Sequence, residues 1–251
     1  MLDPHYLIWL IPAEGFLIHS RNPPLSEDFL SPKRIIIFAN GNLPDLEKAR
    51  ALLRDDDFII AADGGTRHAL ALGRTPSVIV GDLDSLPVNF EISKFDNEVI
   101  LYPKDKNETD LELAIQHALT LNPERVIILA ALGGRLDQTL GNIALLNNVE
   151  PFDKLRAVSL TFNVRLDDGI EEVFFCRDCI QINGSAGDLV SLIPWQGEVT
   201  GVITTDLKWR LQDETLYPHK TRGISNEMLG DTAAVQIRSG SLLVVHRRTN
   251  L

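Results

Sequence analysis

The 251-residue sequence predicts an α/β domain, a parallel sheet with helices on both faces, followed by an all-β domain that is an antiparallel β-sandwich. From Lys33 to about Asp168, apolar runs rich in β-branched residues alternate with amphipathic stretches, which is typical of repeated strand–helix units. After Gly169 the helical periodicity ends, and short alternating segments separated by Gly, Pro and Asn follow. We therefore expect an N-terminal extension over residues 1–32, the α/β domain over 33–168 and the sandwich over 169–251.

The strands of the α/β domain are predicted from short apolar runs that polar or turn-forming residues bound. They are RIIIFAN (34–40), DFIIAAD (57–63), SVIVGD (77–82), EVILY (98–102), RVIILAALGG (125–134) and RAVSLTF (156–162). Helices are predicted after Pro44, over residues 66–72, from Thr109 and from Asp137. The sequence TDLE, which starts at Thr109, fits a capping box, and apolar residues recur after it at helical spacing. This places Asp110 in the first turn of its helix.

The strands of the sandwich are predicted from segments in which apolar and polar residues alternate. They are EEVFF (171–175), IQI (180–182), DLVSLI (188–193), GEVTGVIT (197–204), AAVQIR (233–238) and SLLVVHR (241–247). Because none of these segments has helical periodicity, we expect neighbouring strands to pair in antiparallel fashion.

The two cysteines, Cys176 and Cys179, form a single CxxC pair inside the segment FFCRDCIQI. A zinc site needs two further ligands, and no pair of histidines lies nearby at ligand spacing. A thioredoxin-like dithiol lies between a strand and a helix, whereas this segment has the pattern of strand, turn and strand. We interpret both thiols as structural residues of a turn.

Charge and hydropathy exclude some classes of partner. The chain has 35 acidic and 24 basic side chains, a net charge of −11, and no run of Lys or Arg, so we expect no nucleic-acid partner. The apolar stretch YLIWLIP (6–12) is too short to cross a bilayer and lacks the basic residues that precede a signal-peptide core. We therefore expect no membrane partner and a cytoplasmic location. The YLIWLI run itself is compatible with an added strand, an interface segment or a misassigned start.

Four aspartates follow predicted strands or begin a predicted helix: Asp63, Asp82, Asp84 and Asp110. Carboxylates crowded at one edge of a sheet repel one another unless a cation lies among them, and magnesium bound to a polyphosphate is the usual candidate. In an extended chain, Asp82 and Asp84 would point to the same side, with Leu83 facing the core. Gly64 and Gly65 would give a flexible backbone that approaches phosphate closely. The alternative is that the four are unrelated turn and cap residues.

The segment LGGRLDQ (132–138) is a second candidate for phosphate contact. Gly133 and Gly134 leave backbone N–H groups accessible, Arg135 offers a guanidinium fork, and Asp137 begins a helix. An ordinary turn with a helix-capping Asp would use the same residues. The chain has no GxxxxGK[ST] motif and no GxGxxG motif after a strand, which argues against Walker-type NTPases and dinucleotide-dependent dehydrogenases.

Six motifs, in this order, resemble the thiamine pyrophosphokinase family across residues 33–246. They are AADGGTRHAL, VGDLDS, KDKNETDLELAI, LGGRLDQTLGNIALL, TDLKWRL and GISNEM. The resemblance implies transfer of a pyrophosphate group from ATP to the hydroxyl of thiamine, which gives thiamine diphosphate and AMP. It also implies a Rossmann-like domain followed by a β-sandwich, and a homodimer whose active sites lie between subunits.

The resemblance assigns roles to residues that match the family's motifs. It implies that a Mg²⁺ and phosphate centre is formed by Asp63, Asp82, Asp84 and Asp110, with Asp84 or Asp110 accepting the proton of the attacking hydroxyl. It implies that ATP contacts Lys106, Thr109, Arg135 and Asp137, and that thiamine contacts Trp209, Ser225, Asn226 and Gln138. An indole attracts a flat cation such as thiamine, and Ser and Asn groups can pair with the aminopyrimidine. Many relatives are acidic where this chain has Asn107, which leaves one candidate ligand fewer for a second metal ion.

Two other functions fit parts of the sequence. A related pyrophosphokinase could act on another heterocyclic alcohol such as a pterin, but it would have no reason to share a second domain with Trp209, Ser225 and Asn226. A module that binds nucleotide or thiamine without turnover would not need all four carboxylates, whose mutual repulsion would only weaken the fold.

Overall fold

The structure is a computed structural model, and it describes residues 7–11, 16–20, 32–85, 98–148 and 163–249. The chain divides into two units, Met1–Val164 and Arg165–Leu251. This division lies close to the point at which helical periodicity ends in the sequence. None of the described helices combines the length and the apolar character needed to cross a membrane.

The first unit contains the alternating strands and helices. Its strands are β1 (Leu7–Ile11), β2 (Phe16–Ser20), β3 (Arg34–Phe38), β4 (Phe58–Ala62), β5 (Val78–Gly81), β6 (Glu98–Leu101) and β7 (Arg125–Leu129). Its helices are α1 (Leu46–Ala51), α2 (Thr66–Ala71), α3 (Asp110–Thr120) and α4 (Leu136–Asn148). The strands and helices predicted from residue 34 to residue 148 are confirmed, and the predicted strand over 156–162 lies outside the described residues.

The strands of this unit are ordered β1-β2-β6-β5-β4-β3-β7. Strands β3 to β7 pair in parallel, whereas β1 and β2 form an antiparallel hairpin that joins the sheet at β6. Leu7–Ile11 of the YLIWLI run therefore form an added strand, and β2 was not predicted. Parallel strands present their carboxyl ends at one edge, so the residues that follow β4, β5 and β6 lie on the same side of the sheet.

Apolar burial on both faces of the parallel sheet fixes this arrangement. Ile36, Phe38 and Ile127 pack with Ala49 of α1 and Ala69 of α2 in one buried cluster. The residues that alternate with them along the strands are equally buried, among them Ile35, Ile37 and Ile128. Strands buried on both faces account for continuous runs such as RIIIF, in which apolar and polar residues do not alternate.

The second unit is built from antiparallel strands. They are β8 (Asn163–Asp167), β9 (Glu171–Cys176), β10 (Cys179–Asn183), β11 (Leu189–Thr205), β12 (Glu214–Leu216), β13 (Asn226–Glu227), β14 (Thr232–Gln236) and β15 (Ser239–Arg247). Strand β11 pairs with β13 and β15 along its first half and with β12 and β14 along its second half. Buried side chains from both groups of strands, including Phe174, Ile182, Val202 and Leu242, form one core.

The prediction of separate strands over 188–193 and 197–204 is wrong, because both segments belong to β11. The pairing of β11 with β15 changes register between Trp195 and Thr200, and Gln196 has a φ of 63°. A residue in the left-handed region bends the strand at this point without ending it. One long strand therefore pairs with both groups of strands, first with β13 and β15 and then with β12 and β14.

The two cysteines lie at the ends of consecutive strands that do not pair with each other. Cys176 ends β9 and is buried, and Cys179 begins β10 and is exposed. Strand β9 pairs with β8 and β15, whereas β10 pairs with β14. Burial raises the pKa of the Cys176 thiol to about 12. These positions agree with structural thiols.

The difference in burial predicts that the two thiols react separately. One thiol per chain should react with a disulfide reagent at neutral pH in the folded protein, and both should react in denaturant, because only the thiolate attacks and Cys176 is protonated and inaccessible. Cys179→Ser should remove the reaction of the folded protein. Rapid reaction of both thiols, or oxidation to an internal disulfide under mild conditions, would contradict the structural assignment.

Candidate functional site

Three of the four aspartates come together at the carboxyl edge of the parallel sheet. Asp63 follows β4 and begins a short 3₁₀ turn, Asp82 follows β5, and Asp110 is the first residue of α3. One carboxylate oxygen from each lies within 4.8 Å of those of the other two. Within the described ranges of the chain, no second group of three acidic, His or Cys side chains is placed to share a metal ion. We call these three residues the carboxylate cluster.

The backbone around the cluster is adapted to this close approach. Asp63 is buried and has a φ of 43°, in the left-handed region that non-glycine residues seldom occupy. Gly81, at the end of β5, has a φ of 148°. A Cβ atom at Gly81 would lie 2.9 Å from Cβ of Asp63 and 3.2 Å from Oδ1 of Asp110. A side chain at position 81 would therefore force the cluster apart.

The cluster carries more negative charge than its surroundings balance. Oδ1 of Asp63 is buried and has no hydrogen-bond partner within the described residues. Lys106 Nζ lies 2.8 Å from Oδ1 of Asp110 and is the cation paired with the cluster. Burial raises the pKa of the Asp110 carboxyl, an effect that Lys106 opposes and that the charges of Asp63 and Asp82 increase. Hard divalent cations such as Mg²⁺ bind carboxylate oxygens, so this donor set fits such an ion.

Asp84 lies outside the carboxylate cluster. The prediction that Asp82 and Asp84 extend from one side of a strand is wrong, because β5 ends at Gly81 and Leu83 has a φ of 63°. The chain turns here, and the Asp84 N–H donates to Oδ1 of Asp82 at 3.1 Å. The Asp84 carboxylate instead pairs with Lys104 Nζ at 2.6 Å, which lowers its pKa. Leu83 is only partly buried.

The two glycines after Asp63 serve close packing. A Cβ atom at Gly64 would lie 2.4 Å from Oδ1 of Asn40, and one at Gly65 would lie 1.9 Å from the carbonyl oxygen of Phe38. Both glycines are buried, and neighbouring atoms of Asn40 and Phe38 occupy the space that a side chain would need. The guanidinium of Arg67 donates to Asn40 Oδ1 at 2.7 Å and to the Gly64 carbonyl at 3.3 Å. These contacts tie the turn that carries Asp63 to the end of β3.

The residues predicted to contact ATP lie near helix starts in the first unit. Thr109 is the N-cap of α3, and its hydroxyl accepts the Glu112 N–H at 3.2 Å, which confirms the predicted cap. Arg135 is exposed and donates to Asp137 through both Nε at 3.1 Å and Nη2 at 2.6 Å. The guanidinium fork is thus held by the chain's own carboxylate. Anion binding at this loop would require that ion pair to open.

Two cations near the cluster were missed from the sequence. Lys104 was overlooked in favour of Lys106, although both belong to the segment KDKNETD. Arg67 stands four residues after Asp63, a spacing that brings its side chain back toward the turn once α2 begins at Thr66. The alternation of acidic and basic residues in KDKNETD was the available signal for Lys104. No local signal identifies the partner of Arg67, because Asn40 lies in a different loop.

In the second unit, Asn226 fastens the loop that carries Trp209. Oδ1 of Asn226 accepts the Trp209 N–H at 3.0 Å, and Nδ2 donates to the Trp209 carbonyl at 2.8 Å. Oδ1 also accepts the Glu227 N–H at 2.9 Å, so both lone pairs of this oxygen are used. Asn226 is buried, whereas the Trp209 side chain is 50% exposed. Of the two, Trp209 is the residue whose side chain is open to a ligand.

The remaining vitamin-site candidates are exposed. Ser225 has a φ of 56°, and its N–H donates to Ser191 Oγ at 3.0 Å. The Lys208 ammonium lies 5.1 Å from the centre of the Trp209 ring, so one aromatic face already meets a cation. Gln138 lies exposed in the first turn of α4, in the first unit.

Comparison with known proteins gives matches in both units. The family model described as "Thiamin pyrophosphokinase, catalytic domain" matches residues 49–159, and "Thiamin pyrophosphokinase, vitamin B1 binding domain" matches residues 179–244. The chain is 28% identical over 190 residues to a thiamine pyrophosphokinase of Bacillus subtilis (strain 168), covering 74% of this chain and 85% of the relative. It is 27% identical over 257 residues to thiamine pyrophosphokinase 1 of Oryza sativa subsp. japonica, covering 90% of each.

Solved structures give the same result. The crystal structure of thiamine pyrophosphokinase from Bacillus subtilis has a TM-score of 0.74 at 26% identity, covering 87% of this chain and 100% of that one. The structure of thiamin pyrophosphokinase from Geobacillus thermodenitrificans has a TM-score of 0.71 at 23% identity, covering 86% and 98%. At that lower identity, the second likeness concerns the fold.

The carboxylate cluster predicts a gain in stability when one charge is removed. Two like charges 4.8 Å apart repel by roughly 3 kcal/mol at an effective dielectric constant of about 20. In a chelator, Asp63→Asn should therefore raise the free energy of unfolding by about 1–3 kcal/mol, and the amide can also donate to the neighbouring carboxylates. The variant should lose the increase in Tm that saturating Mg²⁺ gives the wild type.

Asp84→Asn is the matched control for this experiment. It removes an exposed carboxylate outside the cluster, so the Mg²⁺-dependent increase in Tm should remain. Thermal unfolding with and without Mg²⁺ measures both variants. Destabilisation by Asp63→Asn in chelator, or a Mg²⁺ response that depends on Asp84 and not on Asp63, would contradict the assignment of the cluster.

Proposed function

The chain belongs to the thiamine pyrophosphokinase family, and we propose that it transfers a pyrophosphate group from ATP to the hydroxyl of thiamine, giving AMP and thiamine diphosphate. Both domains of the family are matched, one in each unit. The observation that carries the chemistry is the carboxylate cluster, which lies within the range matched by the catalytic domain. Enzymes of this reaction class mainly position the reactants and neutralise charge, so a carboxylate-held cation and a few cationic side chains are sufficient.

We assign Asp63, Asp82 and Asp110 to Mg²⁺. Their donor atoms are oxygens, they lie close together, and the buried Oδ1 of Asp63 lacks a partner within the described residues, all of which favour a hard cation. When bound, Mg²⁺ would supply positive charge to the phosphate oxygens of ATP. Lys106 contributes a second positive charge next to Asp110 and holds that carboxylate in place.

We propose that the carboxylate of Asp84 accepts the proton of the attacking hydroxyl. The thiamine oxygen forms a bond to the β-phosphorus of ATP, the bond from that phosphorus to the oxygen bridging to the α-phosphate breaks, and AMP leaves with the electron pair. A carboxylate must take the hydroxyl proton. Of the four aspartates, Asp84 is the one that lies outside the proposed cation ligands, and its exposed carboxylate is held by Lys104 Nζ at 2.6 Å.

The loop after β7 supplies the proposed contacts to the phosphate chain of ATP. Gly133 and Gly134 have φ values of 75° and 74°, and both are exposed together with Arg135. When phosphate oxygens replace Asp137 at the guanidinium of Arg135, the bidentate geometry of the pair is preserved. Thr109 contributes by fixing the first turn of α3, which carries Asp110.

Thiamine is proposed to stack on Trp209. A desolvated cation on an indole face gains about 2 kcal/mol, and half of this side chain is exposed. Ser225 offers an exposed hydroxyl, and Asn226 acts mainly by holding Trp209. Gln138 is proposed as a further contact on the basis of the family resemblance alone. The match of residues 179–244 to a vitamin B1 binding domain favours thiamine over a pterin.

Three further properties are proposed from the resemblance to the family. They are a Rossmann-like fold of the first unit, a homodimer with active sites between subunits, and a cytoplasmic location. The parallel order of β3 to β7, with acidic residues at the carboxyl edge, supports the first. The net charge of −11 supports small-molecule substrates over a nucleic-acid partner.

The products of the reaction test the proposed function. Incubation of the full chain with ATP, Mg²⁺ and thiamine should release AMP and thiamine diphosphate in equal amounts. Asp82→Asn, which removes one cluster ligand, should form neither product while remaining folded. The nucleotide is identified by chromatography, and formation of ADP in place of AMP would contradict pyrophosphoryl transfer.

Replacement of Trp209 tests the stacking assignment. Trp209→Ala should raise the KM for thiamine about tenfold, the equivalent of losing 1–2 kcal/mol of binding, and leave the KM for ATP unchanged. Tyr217→Ala is the matched control, because Tyr217 is an aromatic residue of the same unit with similar exposure, 42% against 50%. Equal effects of the two substitutions on the KM for thiamine would refute a specific role for Trp209.

A further inference from the structure

A buried ionic network in the second unit takes no part in the chemistry described above. His246 of β15 is fully buried, with Nδ1 2.9 Å from Oε1 of Glu172 and Nε2 3.1 Å from Oδ2 of Asp188. Both carboxylates are buried as well. Each ring nitrogen of His246 therefore meets one carboxylate oxygen at hydrogen-bond distance. We call Glu172, His246 and Asp188 the buried triad.

Further charges complete this network. Glu172 also contacts the guanidinium groups of Arg165 and Arg248, and Arg248 donates to both oxygens of Asp167 at 2.8 and 2.9 Å. Burial favours the neutral form of Glu172, yet the contacts with His246 and Arg165 hold its pKa below the ordinary value. Three carboxylates thus surround two guanidinium groups and the His246 ring. Removal of one member would leave a buried polar group without its partner, so the members hold one another in place.

Asp188 links the buried triad to the surrounding backbone. Its Oδ2 accepts the Ser185 N–H at 2.9 Å, and its Oδ1 accepts the Thr249 N–H at 2.8 Å. A Cβ atom at Gly184 would lie 2.7 Å from both Oδ2 of Asp188 and Nε2 of His246. The backbone at Gly184 therefore packs directly against the contact between Asp188 and His246. Each oxygen of the Asp188 carboxylate accepts a backbone N–H group.

The backbone of Asp188 is in turn bonded to the segment that follows β13. Its carbonyl accepts the Met228 N–H at 2.9 Å, and the Gly187 N–H donates to the Met228 carbonyl at 2.9 Å. The next residues of β11 pair with β13, Leu189 with Glu227 and Val190 with Asn226. The position of Asp188 therefore determines how β13 enters the sheet.

Strand β13 carries the residue that holds Trp209. Asn226 bonds both the N–H and the carbonyl of Trp209, and the Lys208 N–H donates to the Glu227 carbonyl at 2.9 Å. Hydrogen-bond contacts of 3.1 Å or shorter thus join His246 to Asp188, Asp188 to Met228 and Asn226 to Trp209. Met228 and Asn226 are two residues apart in the same segment of chain. The residue that carries the exposed indole is thus linked to the buried side chains of Asp188 and His246.

We propose that Asp188 and His246 are positioning residues for thiamine: their contact fixes β13 against β11 and, through Asn226, sets the orientation of the Trp209 indole. Neither residue touches the substrate. The inference rests on the proposed function, because it assigns the vitamin to Trp209. It predicts a selective effect on thiamine, since the ATP contacts proposed above lie in the other unit.

Asp188→Asn tests this proposal in the full chain. The amide preserves shape but replaces an acceptor with a donor facing His246, so we expect the KM for thiamine to rise about tenfold, with the KM for ATP unchanged. Asp168→Asn is the matched control. Asp168 is also a buried Asp of this unit that accepts two backbone N–H groups, but its donors, Ile170 and Glu171, lie at the turn into β9. It should lower Tm without changing the KM for thiamine.

Additional variants decide the result if Asp188→Asn fails to fold. His246→Gln removes the ring that contacts both carboxylates and should show the same selective rise. Thr249→Ala, at an exposed position bonded to Asp188 through its hydroxyl, should show a smaller one. An unchanged KM for thiamine in the folded variants, or an equal rise in Asp168→Asn, would overturn the proposal. Failure of the wild type to form thiamine diphosphate would instead overturn the proposed function.

Discussion

Repulsion among three carboxylates is the constraint on which the proposed active site depends. One carboxylate oxygen from each of Asp63, Asp82 and Asp110 lies within 4.8 Å of the other two, and among the described residues Lys106 pairs with one of the three carboxylates. The parallel sheet, with side chains buried on both faces, contributes the rigidity that holds them together. A left-handed Asp63 and a Gly81 without a Cβ atom are local costs of this arrangement. These costs are explained if a cation binds the three carboxylates at this edge of the sheet.

In the second unit, an aromatic side chain that is exposed to water has to be held in one orientation. Trp209 is half exposed and lies in a loop, where apolar burial contributes little to its orientation. Asn226 compensates with two hydrogen bonds to the Trp209 backbone, and Asp188 fixes the strand beside Asn226. Charges in the interior thereby determine the geometry of a binding surface. The carboxylate cluster of the first unit has an excess of negative charge, whereas the buried carboxylates of the second unit are paired with basic side chains.

Local sequence patterns predicted much of the fold and part of the site. Continuous apolar runs identified the parallel strands, and a capping box placed Asp110 correctly at the start of α3. The error at Asp84 arose because the sequence does not reveal that Leu83 takes a left-handed conformation and turns the chain. Strand β11 was divided in two for a similar reason, since Gln196 bends it without ending it. The buried triad was invisible because His246 lies 74 residues from Glu172 and 58 from Asp188.

We propose that one divalent ion is shared by Asp63 and Asp82, which follow β4 and β5, and by Asp110, which begins α3. The most direct measurement is a crystal structure of the full chain with Mg²⁺, a non-hydrolysable ATP analogue and thiamine. We expect that structure to show an ion that is bound by oxygens of Asp63, Asp82 and Asp110 and that also contacts phosphate oxygens. An ion bound without any of these three, or nucleotide phosphates located away from this edge of the sheet, would contradict it.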